Sequence, residues 1–383
     1  MSDSEQFGSE GGVVTRVRNA LEGPNTYGNS TPFWVVFAVA VIALAIYPQT
    51  TDPFTIQTTT QYFALAFLAL SLCVVWGYCG VLSFGQVAFF GVAAYTFGII
   101  GINLSSAAGI TAAIVGAVVV GSLFALALGY FMFYGGVRDV YVTIITLVTA
   151  LALNTFTAQT AGSEWAVGAA RLGGFNGMPD IPNLALGIGS VGFTFDRIST
   201  YYLLLFTLVA TYLGLRVLVN SGFGMTMVAV REDEERTATF GYDVPFVKLV
   251  TFTIGGALAA LGGVFYAAWG NFIDPSVFGI LFAALPVVWV SVGGRESLIG
   301  AIGATMLIER MRSGLASGVE VPFGPEWLAL GPEWAFVVIG ALLLLVILIM
   351  PAGVVPYLDR AGEQLLGRIG DERAAEPTEE PTE

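Results

Sequence analysis

The sequence predicts an all-α, polytopic membrane protein with about ten transmembrane helices and both termini in the cytoplasm. Three observations carry this reading. Of 383 residues, 56% are hydrophobic and only 11% are charged, against about 25% charged in an ordinary soluble domain. The apolar residues gather into runs of the length that a helix needs to cross a hydrocarbon core about 30 Å thick. Short polar or Gly/Pro clusters separate those runs.

In chain order, residues 1–31 are polar, carry Arg16 and Arg18, and lack a signal peptide's apolar region and cleavage site, so a retained cytoplasmic tail is expected. Spans follow at 32–49, 58–77, 84–103, 109–134, 139–160, 199–219, 248–270, 275–292, 297–312 and 333–350, within a membrane-spanning body of 32–356. The Gly/Ser-rich LSFGQ and GGRES segments before the third and ninth spans could equally open re-entrant or half-length helices. Residues 357–383 end in GDERAAEPTEEPTE, an acidic tail expected to be disordered. Cationic residues fix the orientation. Arg16, Arg18, Arg138, Arg216, Arg231, Arg236, Lys248, Arg295, Arg360, Arg368 and Arg373 fall inside, and only Arg171, Arg197, Arg310 and Arg312 fall outside. The outer pieces, 161–198 and 313–332, are rich in Gly and Pro and look like lids or receptor-facing loops.

The sizeable polar interior piece is 216–248. Its core, VAVREDEERTATFGYD, opens with Arg231, crowds Glu232, Asp233, Glu234 and Glu235, closes with Arg236 and stops at Gly241, a helix-ending glycine. A short surface helix over 231–241 is expected. Arg231 then faces Glu234 or Glu235 at i,i+3 and i,i+4, for about 0.2–0.5 kcal/mol per pair. Two readings stay open: a solvated loop helix, or a docking helix for a soluble partner.

No Asp, Glu, Lys or Arg occurs between residues 58 and 137, and elsewhere Asp139, Asp274 and the Glu309 to Arg312 cluster sit at expected helix ends. An ion- or proton-coupled carrier needs an ionisable group inside its bundle, and none is expected here. The candidate path is neutral: Ser83, Phe84, Gln86, Phe89, Phe90, Tyr95, Thr143, Thr146, Asn154 and Trp289. Each polar member would serve equally as an interhelical hydrogen bond worth about 0.6–2 kcal/mol. Histidine is absent, which removes His-based acid/base, metal and nucleophile chemistry. Cys73 and Cys79 have no metal-like spacing and are expected to be small core residues. The one lysine, Lys248, stands in VKL, so the chain has no Walker A loop. A docking helix without a coupling residue or a nucleotide motif points to the membrane subunit of an ATP-driven transporter whose ATPase is a separate chain. The acid excess, 28 against 15 basic residues, suggests a halophilic source.

Four segments, GYCGVLSFGQVAFFGVAAYT, VAVREDEERTATFGYDVPFVKLVTF, GGALAALGGVFYA and VVWVSVGGRESLIGAIGA, resemble in sequence and order the permeases of branched-chain amino acid and urea ABC importers, over residues 58–356. The resemblance implies that REDEERTATFG, within a loop at 220–247, is the cytoplasmic segment that engages the ATPase. It also implies two ATP-binding subunits, a sister permease in a heterodimer, an external solute-binding protein and a multi-pass place in the cell membrane. No cofactor, no metal and no nucleic acid is expected. Phe240, Gly241 and Tyr242, the Asn-Gly turn of GGFNGMPD and the Trp-containing VVWVSVGGRESL resemble the urea branch. Gln86, where urea permeases often have His, and Glu296, where Gly is usual after GGR, depart from it. Urea or a short amide is expected first, branched-chain or another hydrophobic amino acid as the alternative. A passive channel or stand-alone carrier is the competing class, and a membrane enzyme is disfavoured.

Overall fold

The computed structural model describes residues 21–138, 140–188 and 191–316, together with 337, 340, 341, 348–350 and 353–357. Most of the N-terminal tail, Asp139, nearly all of the outer piece 313–332, most of the expected tenth span and the acidic C-terminal tail lie outside the described residues.

Eleven α-helices are described. Helix α1 (Thr31–Ile46) starts after Ser30 with Pro32 in its first turn. Helix α2 (Pro53–Leu72) is capped by Asp52, which accepts the Thr55 N–H, and runs on as a π-helical turn over Cys73–Tyr78. Helices α3 (Gln86–Asn103), α4 (Ala107–Phe133) and α5 (Val140–Ala158) follow. Then come two short antiparallel hairpins, β1 (Ala166–Val167) with β2 (Ala170–Arg171), and β3 (Ala185–Ile188) with β4 (Val191–Thr194). These pairs are the exception to the all-α expectation and sit in the outer piece 161–198. Helix α6 (Arg197–Asn220) is capped by Asp196, followed by α7 (Gly222–Glu232), α8 (Glu234–Thr239), α9 (Val244–Gly270), α10 (Ile280–Gly293) and α11 (Leu298–Ala316).

Among the described residues seven helices are long and apolar enough to cross a membrane, and they match the first seven expected spans. The segment LSFG stays outside helix, and α3 is a full-length span rather than a half-helix. The expected eighth and ninth spans are different. Helix α10 has 14 residues, about 21 Å of helix at 1.5 Å per residue. Only together with α11, from which it is bent by 118°, is it long and apolar enough to cross.

Burial explains the layering. Every residue from Tyr62 to Val75 is buried, so α2 is apolar on all sides because it is surrounded on all sides. Helix α9 packs on its neighbours through glycines: a Cβ at Gly262 would lie 2.9 Å from the Ala64 carbonyl oxygen of α2, one at Gly263 2.0 Å from the Phe90 carbonyl oxygen of α3, and one at Gly256 2.2 Å from the Ala125 Cβ of α4. Small residues here let helix backbones touch. By contrast α1 has no buried residue. It is tied to α6 at both ends: Tyr201 Oη donates to the Leu44 carbonyl (2.7 Å), and buried Arg216 donates to Leu21 O (2.9 Å) and Asn29 Oδ1 (2.8 Å) while lying 4.8 Å from the Trp34 ring centre.

Candidate functional site

The polar insert is not one helix. Asp233 is extended (φ −160°, ψ 102°) and its carboxylate accepts the Arg236 N–H at 2.9 Å. An aspartate that caps a new helix ends the previous one, so α7 and α8 meet at a break. The expected pairing of Arg231 with Glu234 or Glu235 is therefore corrected. Arg231, at 14% side-chain exposure, bonds Glu232 (2.7 Å), Glu296 (3.2 Å) and the Gly77 carbonyl (2.5 Å). Glu234 instead pairs with the Lys248 ammonium at the start of α9. Glu235, Arg236, Phe240 and Tyr242 remain exposed. Gly241 has φ +89°, as expected of a helix-ending glycine.

The α10–α11 hairpin reaches this same end of the bundle. Its tip, Gly293–Ser297, lies so close to the π-turn that a Cβ at Gly77 would be 1.8 Å from the Arg295 carbonyl oxygen. Tyr78 Oη donates to Glu296 O at 2.8 Å and Cys73 Sγ to Arg295 O at 3.3 Å. A cavity of about 410 Å³ runs beside α8, lined among others by Phe133, Val137, Arg138, Glu235, Ala238 and Lys248. The α8 segment, the 134–138 turn and the hairpin tip thus share one face, the one that the charge bias assigns to the cytoplasm.

The expected path residues are spread along the bundle. Ser83, Gln86, Thr143 and Thr146 gather at the start of α3 and α5. Ser83 Oγ accepts the Gly85 N–H (3.0 Å), Ser71 Oγ donates to Gln86 Oε1 (2.6 Å), Thr143 Oγ1 donates to Leu82 O (2.9 Å) and Thr146 Oγ1 to Thr143 O (3.0 Å). Phe84 packs against the core beside them. Asn154 lies near the other end of α5, donating to Pro275 O (2.6 Å), and Tyr95 stands midway along α3, stacked on Phe278. Phe89 and Phe90 are fully buried in ring pairs with Phe124, Phe252, Tyr266 and Phe282, so they are packing residues in this conformation. Trp289 is fully buried, and its indole N–H, which makes no regular hydrogen bond among the described residues, lies beside the Glu309 carboxyl.

The uncharged interior is also corrected. Glu309 is 1% exposed and holds Arg312 by bonds of 2.6 and 2.9 Å. Sequence position put this pair at a span's end; the hairpin folds it back onto α2, beside Tyr62. Apolar flanks on a short helix gave no sign of this. Among the described residues no group of His, Cys, Asp and Glu is arranged to hold a metal, and both cysteines are buried and unpaired.

The family described as "Branched-chain amino acid transport system / permease component" matches residues 54–347. The chain is 26% identical to the high-affinity branched-chain amino acid transport system permease protein LivM of Escherichia coli, over 84% of this chain and 75% of that protein. It is 26% identical to the permease protein BraD of Pseudomonas aeruginosa, over 76% and 90%. It is 28% identical to a probable branched-chain amino acid transport permease protein LivM of Methanocaldococcus jannaschii, over 40% of this chain and just under half (46%) of that one. No solved structure matches. With the match covering most of the chain and all seven membrane-length helices but α1, this multi-pass membrane protein belongs to the family of branched-chain amino acid transport permease components.

Proposed function

We propose that this chain forms half of the translocation path of an ATP-driven importer for a branched-chain or similarly hydrophobic amino acid. The observation that carries the proposal is the α8 face. Exposed Glu235, Arg236, Phe240 and Tyr242 stand beside a groove on the cytoplasmic side of a family permease that has no nucleotide motif of its own. Such a face suits an ATPase subunit, and the remaining coupling residues Arg231, Glu232, Asp233, Glu234 and Gly241 hold it in shape. The partners proposed are two ATP-binding subunits, a sister permease and an external solute-binding protein. In this arrangement residues 1–31 and 357–383 are tails and 32–356 the permease body, with 220–247 its coupling loop.

The urea-first order read from three short motifs gives way. The relatives named above are described as branched-chain amino acid permeases, and Gln86 already departed from the urea pattern. Nothing in the relatives or the structure supports a halophilic source. The test is uptake by proteoliposomes holding the complete importer. ATP-dependent leucine or valine uptake that exceeds urea uptake is expected; brisk uptake by this chain alone would overturn the proposal in favour of a passive channel. Preferential urea uptake would restore the original order.

A further inference from the structure

The start of α3 is a buried helix end with donors left over. Gly85, the residue before its first turn, supplies no side-chain cap. Among the described residues the earliest bonded amides of the helix are those of Ala88 (2.9 Å) and Phe89 (3.4 Å), both to Gly85 O. Ordinary helix ends give their remaining N–H groups to water or a capping side chain, but here Gln86 is 1% exposed and Val87 fully buried. A second observation is independent of the helix. The Gln86 side chain accepts from Ser71 Oγ at 2.6 Å, and its Nε2 has no partner among the described residues. Turning the amide over does not help: Nε2 would then donate to Ser71 Oγ and Oε1 would be left bare. The hydroxyls of Ser83 and Thr146 border the same turn, Thr146 coming within 2.8 Å of where a Cβ on Gly85 would stand. Ser71 lies seven residues before the end of the α2 π-turn, about 10 Å from it, so the donors sit inside the bundle rather than at its surface.

Unused amide donors at a helix N-terminus, with its positive dipole end, attract an anionic group, and broken or buried helix starts serve this purpose in transport bundles. We infer that the N-terminus of α3 and the Gln86 side-chain amide receive the carboxylate of the transported amino acid, making Gln86 a specificity-determining residue of the path. This rests on the amino-acid reading above. It also gives a physical reason for Gln86 here: an amide donor serves a carboxylate, whereas an acidic side chain would repel it.

The experiment compares leucine uptake by the complete importer in proteoliposomes for wild type, Gln86→Met, Gln86→Glu and Gln86→His, with complex yield and thermal midpoint read on each preparation. Gln86→Met and Gln86→Glu are expected to lower uptake at least about tenfold, while Gln86→His, which keeps an N–H donor, stays within about threefold. The introduced carboxyl of Gln86→Glu regains an O–H donor when protonated, so its uptake relative to wild type is expected to recover as the medium is acidified. A residue that only packs would show no such recovery. Wild-type uptake in Gln86→Met, or equal losses in all three variants without recovery on acidification, overturns the inference while leaving the proposed function standing. Wild-type vesicles that import urea but no leucine overturn both. If Gln86→Glu fails to assemble, the contrast between Gln86→Met and Gln86→His decides.

Discussion

At the scale of single residues, the charged cluster of the insert is mostly internal structure. Arg231 reaches three elements at once: its own helix through Glu232, the α2 π-turn through Gly77 O and the hairpin tip through Glu296. Lys248 has a side-chain exposure of 9% and its partner Glu234 one of 42%. Reversing Glu234 therefore acts on folding first. Glu234→Lys sets two ammonium groups together and leaves one of them nearly buried. Breaking a fully buried pair costs about 3–5 kcal/mol and an exposed pair 0–1; with one partner half in water, a loss of about 1–3 kcal/mol is expected. The thermal midpoint of the purified complex should fall accordingly, and the swap Glu234→Lys with Lys248→Glu should recover most of it. A swap as unstable as the single change would show that the pair is not what holds α8 to α9.

At the scale of elements, hydropathy marked seven spans to within a few residues, because length and apolarity are local properties. Contacts between distant segments were not legible in the same way. The insert read as one helix because EDEER is strongly helix-forming, and Asp233 was counted as one more acid rather than as the cap that starts α8. The hairpin tip GGRES read as a span boundary, yet it is the piece that Gly77 admits against the π-turn and that Glu296 fastens to Arg231. Phe89 and Phe90 belong to the expected path set although both are buried in ring pairs, since a phenylalanine facing a pore and one facing a neighbouring helix have the same sequence signature. Gly241 was legible, because only a positive φ explains a glycine at that place. A Cβ there would touch nothing within 4 Å, so any cost of substitution is conformational. An L-residue in this region costs about 1–2 kcal/mol, more when β-branched and less for Asn. Gly241→Val is thus expected to lose most ATPase stimulation by the solute-binding protein at near-normal complex yield, and Gly241→Asn to keep most of it. Equal behaviour of the two variants would mean that backbone conformation at 241 does not govern the link from α8 to α9.

At the scale of the whole molecule, the question is whether α10 and α11 cross the bilayer or dip into it. Their tip bonds Tyr78 and Arg231 at the end assigned to the cytoplasm, whereas the turn that feeds α10, Pro275–Phe278, meets Asn154 near the outer end of α5 and Tyr95 midway along α3. These anchors carry α10 from mid-bundle to the cytoplasmic end, from which α11 runs back, so a tip exposed at the cytoplasmic face is expected, with Pro286 tolerated inside α10 because neighbouring helices surround it. The native thiols make a clean background for cysteine mapping. Both are buried, and burial pushes the Cys79 thiol up to about 11, which keeps it in the unreactive thiol form at neutral pH. Wild-type protein should accordingly resist a membrane-impermeant maleimide until it is unfolded. Ser276→Cys and Ile188→Cys, at exposed positions, are expected to label from the outside of sealed vesicles, and Phe240→Cys and Arg295→Cys only after permeabilisation. An Arg295→Cys protein that labels from neither side while Phe240→Cys labels normally would mean that the tip stops within the membrane. The Arg231–Glu296 contact would then belong to a conformation in which the hairpin has moved.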